Sequence, residues 1–171
     1  MPVIARPPTA SPVDSMAETR KIRAAASTED APSHTGRVMR FADLALGQTA
    51  SARIRVTPEM IAAFASVTGD HNPIHTDPVY AHSRFGGVIA HGVLLVGFFS
   101  ALLATRLPGP GALARDLNVR FRAPVRPGDD VDIEVKIVEL VPRIRKAVLE
   151  GRAKVGATVV LNITAETLLE A

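Results

Sequence analysis

From Val93 to Ala104 the chain reads Val-Leu-Leu-Val-Gly-Phe-Phe-Ser-Ala-Leu-Leu-Ala, with Ser100 its only polar side chain. No other stretch restricts the fold so severely. A membrane span needs ~20 apolar residues, and Arg106 closes this run too soon. A helix apolar on every side is instead expected to be buried on every side. Drawn from His91 to Arg106, it would be roughly 24 Å long at the standard helical rise. Something in the chain must wrap it.

The rest of the sequence supplies the wrapper. Ala52, Ile54 and Val56 alternate with Ser51, Arg53 and Arg55. After the apolar run, Leu117, Val119 and Phe121 alternate with Asn118, Arg120 and Arg122. Val131, Ile133, Val135 and Ile137 alternate with Asp130, Asp132, Glu134 and Lys136. Leu149, Ala153 and Val155 share one face of a further segment, as do Val159, Leu161, Ile163 and Ala165 of the last. Turn chemistry separates the later segments at Pro124–Asp129, Val141-Pro142 and Gly156. This pattern predicts an α+β fold, a five-stranded antiparallel sheet curled around the long apolar helix. With 171 residues and 47% hydrophobic content, the chain has material for one domain with a sizeable core.

Between the first strand and the apolar run lies a polar stretch of a different kind. Thr57, Pro58 and Glu59 read as the N-cap and first turn of a helix, with Met60, Phe64 and Val67 recurring on one face. Gly69 ends that helix. Pro73 prevents its resumption by pushing Asn72 into an extended conformation. Gly69-Asp70-His71-Asn72-Pro73-Ile74-His75 is therefore a tight turn. On a continuous helix Asp70 and His75 would point apart; on a turn they can converge on one small molecule. Thr76-Asp77-Pro78 opens a short second helix through about Arg84, which Phe85-Gly86-Gly87 breaks.

The seven residues of that turn, followed by Ala81, resemble the signature of the MaoC-like, R-specific enoyl-CoA hydratases. Phe85-Gly86-Gly87, Ala90-His91-Gly92 and Phe121-x-x-Pro124-Val125-x-Pro127-Gly128-Asp129 extend the resemblance in the same order, from about Met39 to the C-terminus. It implies the "hot-dog" fold, a sheet wrapped around a central helix. It further implies a lyase that interconverts a trans-2-enoyl-CoA and water with an (R)-3-hydroxyacyl-CoA, with no cofactor beyond the coenzyme A of the substrate. A homodimer or higher homo-oligomer, its sheets joined edge to edge, is implied too.

Such chemistry needs a base for water, an acid for the α-carbon and a donor for the enolate oxygen. By resemblance, Asp70 and His75 are the catalytic pair, and the Gly92 amide is the oxyanion donor. The first amides of a helix have no internal partner, and Gly92 has no Cβ to keep a carbonyl away. Asn72 is placed near substrate, although an Asx side chain commonly braces its own turn. His91 lies beside the oxyanion donor, where contact with substrate and helix capping are both open. Ser100 matches a family position near the acyl end, while a lone helical Ser often bonds its own backbone. Arg120 and Arg122, with Arg126, Arg143, Arg145 and Lys146 behind them, are candidates for the phosphates of coenzyme A. His71 and His82 read as loop or surface residues.

Other functions are less well supported by these residues. His71 and His75 have the spacing of a helical zinc pair, yet Pro73 between them spoils the helix, so no metal is expected. With a formal charge of +3, one Tyr and no Trp, the composition reads as a slight basic excess, and no nucleic-acid partner is expected. It has no cysteine, hence neither a disulfide framework nor a thiolate nucleophile, which suits a reducing cytoplasm. Thioesterases share the hot-dog fold, but the Asp-x-Asn-Pro-x-His turn argues against hydrolysis. An acyl-carrier-protein thioester, or a branched or oxygenated acyl-CoA, is the alternative substrate. A non-catalytic acyl-CoA-binding protein is the alternative class.

Residues 1–35, rich in Pro, Ala, Ser and Thr, are expected to be a disordered extension, with residues 36–171 forming the domain. Asp14, Glu18, Glu29 and Asp30 are unlike a transit peptide, no apolar core of a secretory signal is present, and Met16 is a second candidate start.

Overall fold

In the computed structural model residues 38–170 are described, so the expectation for residues 1–35 lies outside the described residues. The elements run β1 (Thr49–Arg55), α1 (Pro58–Thr68), α2 (Pro73–Thr76), α3 (Pro78–Phe85), α4 (Gly92–Thr105), β2 (Leu113–Phe121), β3 (Asp130–Val141), β4 (Lys146–Val155) and β5 (Thr158–Leu168). The strands form one antiparallel sheet in the order β1-β3-β4-β5-β2, leaving β1 and β2 at its edges.

The apolar helix α4 lies against this sheet, as its composition requires. Leu95, Phe99, Leu102 and Leu103 of α4 are buried among Val131, Ile133, Val135 and Ile137 of β3 and Leu149, Leu161 and Ile163 of the neighbouring strands. Burying a side chain the size of Phe99 contributes about 1.5–3 kcal/mol relative to leaving it in water. The closest approach is at Gly151 of β4. A Cβ there would sit 2.8 Å from both the Phe99 ring and Ile163, so a glycine sets the distance between helix and sheet.

Four local expectations are corrected. First, α4 is not buried on every side of this chain. Val93, Gly97, Ser100, Ala101 and Ala104 face outward, because the sheet covers one side of the helix only. Second, the apolar face of β2 is largely uncovered: Leu113 is 66% exposed, Leu117 39% and Phe121 55%. Periodicity identifies an apolar face but not whether the same chain covers it. Third, Val67 is exposed, and the buried residues of α1 are Ile61 and Ala65, one turn apart. Fourth, Pro73 does not keep the chain from helix after Gly69 but begins a new one, since a proline is accommodated at the first helical position. His75 therefore sits on the single turn α2 rather than in open loop.

Candidate active site

The turn after α1 is built by short polar side chains that bond the backbone beside them. Thr57 caps α1 by accepting from the Met60 amide, and Gly69 closes the helix in the left-handed conformation at φ 75°. The Thr68 hydroxyl donates to the Phe64 carbonyl at 2.7 Å and accepts from the Asp70 amide at 3.3 Å. Asp70 Oδ1 then accepts from the Asn72 amide at 3.2 Å, and Asn72 Oδ1 accepts from the Ile74 amide at 3.3 Å. Two successive Asx turns thus carry the chain around the corner, and α2 presents His75.

Three side chains meet there. The donor atoms of Asp70, His75 and His91 all lie within 4.8 Å of one another. One water, with hydrogen bonds near 2.8 Å on either side, bridges groups at that separation. The Asp70 carboxylate is exposed, the His75 ring half-buried and the His91 ring 2% exposed.

The two imidazoles are each tied to a backbone carbonyl, by opposite nitrogens. His75 Nδ1 lies 2.8 Å from the Ile89 carbonyl, and His91 Nε2 lies 3.0 Å from the Asp70 carbonyl. A carbonyl only accepts, so each of these nitrogens carries a proton. In the neutral rings the lone pair falls on Nε2 of His75 and on Nδ1 of His91. His91 Nδ1 is buried without a hydrogen-bond partner. The ring itself is stacked between Phe64, at 4.8 Å between centroids, and His75, at 3.9 Å. His91, for which substrate contact and helix capping were both open, makes no side-chain capping bond; it is buried and bonded to the Asp70 carbonyl.

A shared metal would need the ring edges of both histidines turned to one point. The stacking sets ring faces against each other, tilted by 32°. The three residues are close enough to suggest a metal, but this arrangement suits a water better.

Gly92 is the first residue of α4, with His91 before it as N-cap. Among the described residues its amide has no acceptor. Its missing Cβ has a second reason that the sequence did not reveal. A Cβ at Gly92 would stand 2.7 Å from the Phe121 ring, so β2 packs directly on the start of the helix.

The remaining candidates are dispersed. Asn72 is spent on its own turn, as an Asx residue would be. Ser100 lies on the outward face of α4. Arg120 on β2 and Arg122 just past its end are exposed, and their side chains have no ion-pair partner among the described residues. Lys146 is paired with Glu166 at 2.9 Å, and Arg126 is turned inward onto the Phe85 carbonyl. Neither stands ready for a phosphate. His71 and His82 are exposed, as expected. Beside His75 opens a hollow of about 430 Å³, walled by Ile61, Ala62, Ala65, His71 and Val88. Sequence reasoning missed Thr68 and the Ile89 carbonyl. A threonine just before a helix-ending glycine was the one available signal for the first, and a backbone acceptor leaves no signal at all.

The profile of the family described as MaoC like domain matches residues 43–160. The chain belongs to this family. MaoC-like relatives include a 3-hydroxybutyryl-CoA dehydratase of Methylorubrum extorquens, 44% identical over 127 residues that cover 74% of this chain and 81% of that protein. An (R)-specific enoyl-CoA hydratase of Rhodospirillum rubrum is 39% identical over 132 residues, covering 77% and 92%. Among solved structures, an unliganded R-hydratase from Pseudomonas aeruginosa is similar at a TM-score of 0.72 and 34% identity, covering 77% of this chain and 86% of that one. These R-hydratases share with this MaoC-like chain the five-stranded sheet and central helix of the hot-dog fold.

Proposed function

We propose that the protein is an R-specific enoyl-CoA hydratase, adding water to a trans-2-enoyl-CoA and removing it from the (R)-3-hydroxyacyl-CoA. The observation that supports this reading is the closeness of Asp70 and His75, whose side-chain polar atoms lie within 4.8 Å of each other, together with a Gly92 amide that has no acceptor among the described residues. Relatives named as such hydratases and dehydratases support it.

Asp70 takes a proton from the water as its oxygen attacks C3 of the enoyl group. His75 orients that water through Nε2 and relays the proton. Negative charge moves onto the thioester oxygen, where the Gly92 N–H and the positive end of α4 receive it. One such donor is worth roughly 3–4 kcal/mol in the transition state. Collapse of the enolate takes a proton at C2 from the same face, so one water's hydrogen and hydroxyl are added syn. No cofactor is needed beyond the coenzyme A that the substrate brings.

His91 holds the Asp70 turn, and Asn72 braces it close to the thioester. The outward face of α4, with Ser100, borders the acyl chain, and the hollow beside His75 has room for a short acyl group. Arg120 on β2 and Arg122 just past its end, both without an ion-pair partner among the described residues, face the phosphates. The protein works in the cytoplasm as a homodimer or higher oligomer joined along β2, which would cover Leu113, Leu117 and Phe121. No helix among the described residues is long and apolar enough to cross a membrane.

The test is chiral analysis of the product formed from crotonyl-CoA. (R)-3-hydroxybutyryl-CoA is expected. Formation of the S enantiomer, hydrolysis to free crotonate, or binding without turnover would each remove this reading in favour of a different one.

A further inference from the structure

The segment from Phe85 to Ala90 is a strap between α3 and the start of α4. It contains Gly86 at φ 71° and Gly87 at φ 146°, conformations that favour glycine. A glycine pair gives up more backbone freedom on ordering than other residues do, so the strap needs anchors from outside itself. Two of them come from the turn after β2. The Val125 carbonyl accepts from the Ala90 amide at 2.7 Å, and Arg126 Nη2 donates to the Phe85 carbonyl. The same guanidinium lies along the glycine pair, its terminal nitrogens 3.7 and 3.5 Å from where a Cβ on Gly86 or Gly87 would stand. Arg126 is half-buried, and its own amide is held by Asp129 Oδ2 at 2.7 Å.

Between the two anchors lies Ile89. Its amide donates to the Ile74 carbonyl at 3.2 Å, and its carbonyl accepts from His75 Nδ1 at 2.8 Å. The strap therefore supplies the acceptor that decides which ring nitrogen of His75 keeps its proton. The geometry points to Arg126 as a positioning residue for His75. By pinning the strap, it holds the Ile89 carbonyl where it fixes a proton on Nδ1 and leaves Nε2 for the water. Among the described residues no hydrogen bond links Arg126 to Asp70 or His75, so its influence passes through the backbone of the strap. That sets it apart from Arg120 and Arg122, whose side chains have no hydrogen bond among those residues.

The consequence for rate rests on the hydratase reading, but the tautomer of His75 does not. The experiment therefore has two readouts. Nitrogen-15 spectra of the His75 ring, assigned with His75→Ala, are recorded without substrate for wild type, Arg126→Ala and Arg126→Lys. Crotonyl-CoA hydration is then measured for the same proteins with and without added guanidinium chloride at millimolar concentration. Wild type should show the Nδ1–H tautomer, and Arg126→Ala a mixture of tautomers. Its kcat should fall about 10- to 100-fold, the range expected of a misplaced catalytic group, with little change in KM. Guanidinium should restore part of the activity of Arg126→Ala and none of that of His75→Ala. Lysine, a point charge in place of the planar fork, should give an intermediate spectrum and is read in the same way if the alanine variant does not fold.

An Nε2–H tautomer in wild type would overturn the assignment. So would an unaltered His75 spectrum in either variant, since a rate lost without it would mark a role in stability alone. Failure of wild type to hydrate crotonyl-CoA would instead remove the hydratase reading and leave the spectral result standing.

Discussion

The two edges of the sheet are finished in opposite ways. Along β1, Arg53 and Arg55 stand directly across from Asp132 and Asp130 of β3. Arg53 binds Asp132 through two parallel hydrogen bonds, at 2.6 and 2.8 Å, and Arg55 meets Asp130 at 3.4 Å. Arg106, from the end of α4, donates to the Ser51 carbonyl on the same strand. Charges of this kind discourage another strand from pairing. Along β2 nearly every residue is exposed, and among them are three large apolar side chains, Leu113, Leu117 and Phe121, that no charged partner strand covers. The difference teaches which edge the proposed self-association would use. The apolar edge is also the one that meets the proposed oxyanion donor, because the Phe121 ring lies against Gly92.

Of the changes that probe the two edges, Gly92→Ala should have the largest effect. The added methyl would meet the Phe121 ring at 2.7 Å and force either the strand or the helix start to move. A loss of about 10²–10³ in kcat is expected, the cost of displacing one oxyanion donor. Full activity in this variant would separate β2 from the chemistry.

A second, smaller effect sharpens the comparison of the edges themselves. Leu117→Lys on β2 should weaken self-association by about a hundredfold, the equivalent of roughly 3 kcal/mol. Arg53→Ala on β1 should leave it unaltered. Sedimentation at a series of concentrations reads both. Equal behaviour of the two variants would erase the distinction.

The smallest effect is one of pH and belongs to β1 alone. The hydrogen bond from Arg53 holds the Asp132 carboxyl below the usual carboxylate range. A group depressed in the folded state stabilises it above the unfolded value, and the contribution fades as pH falls through the depressed value. Thermal unfolding followed across the acid range should therefore show a slightly shallower loss for Arg53→Ala than for wild type. For a pair so exposed the difference should be slight, and a large one would mean that the β1 edge is more than a guard.

Much of this was legible from residues alone. The alternation of Val131 to Ile137 predicted β3, and the apolar run predicted α4 to within a residue at each end. The turn from Gly69 to His75 was legible because glycine, proline and Asx residues have strong local preferences that need no tertiary support. What escaped the sequence depends on distant partners. Leu117 and Val67 look like core residues, yet whether a core covers them depends on the arrangement of the whole domain. His91 binds a carbonyl that belongs to Asp70, and His75 one that belongs to Ile89. A carbonyl acceptor is present at every residue and marks none. Arg126 read as a candidate for a phosphate because nothing in its neighbourhood announces the Phe85 carbonyl it holds.

The most direct test concerns the carboxylate and the imidazole at one water. Loss of the enoyl absorbance of crotonyl-CoA should be followed with wild type, Asp70→Asn and His75→Ala side by side. Wild type should hydrate the substrate readily, with each variant slower by about 10²–10⁴, the contribution of a general acid or base. A wild type no faster than both variants would contradict the assignment of Asp70 and His75 as the catalytic pair.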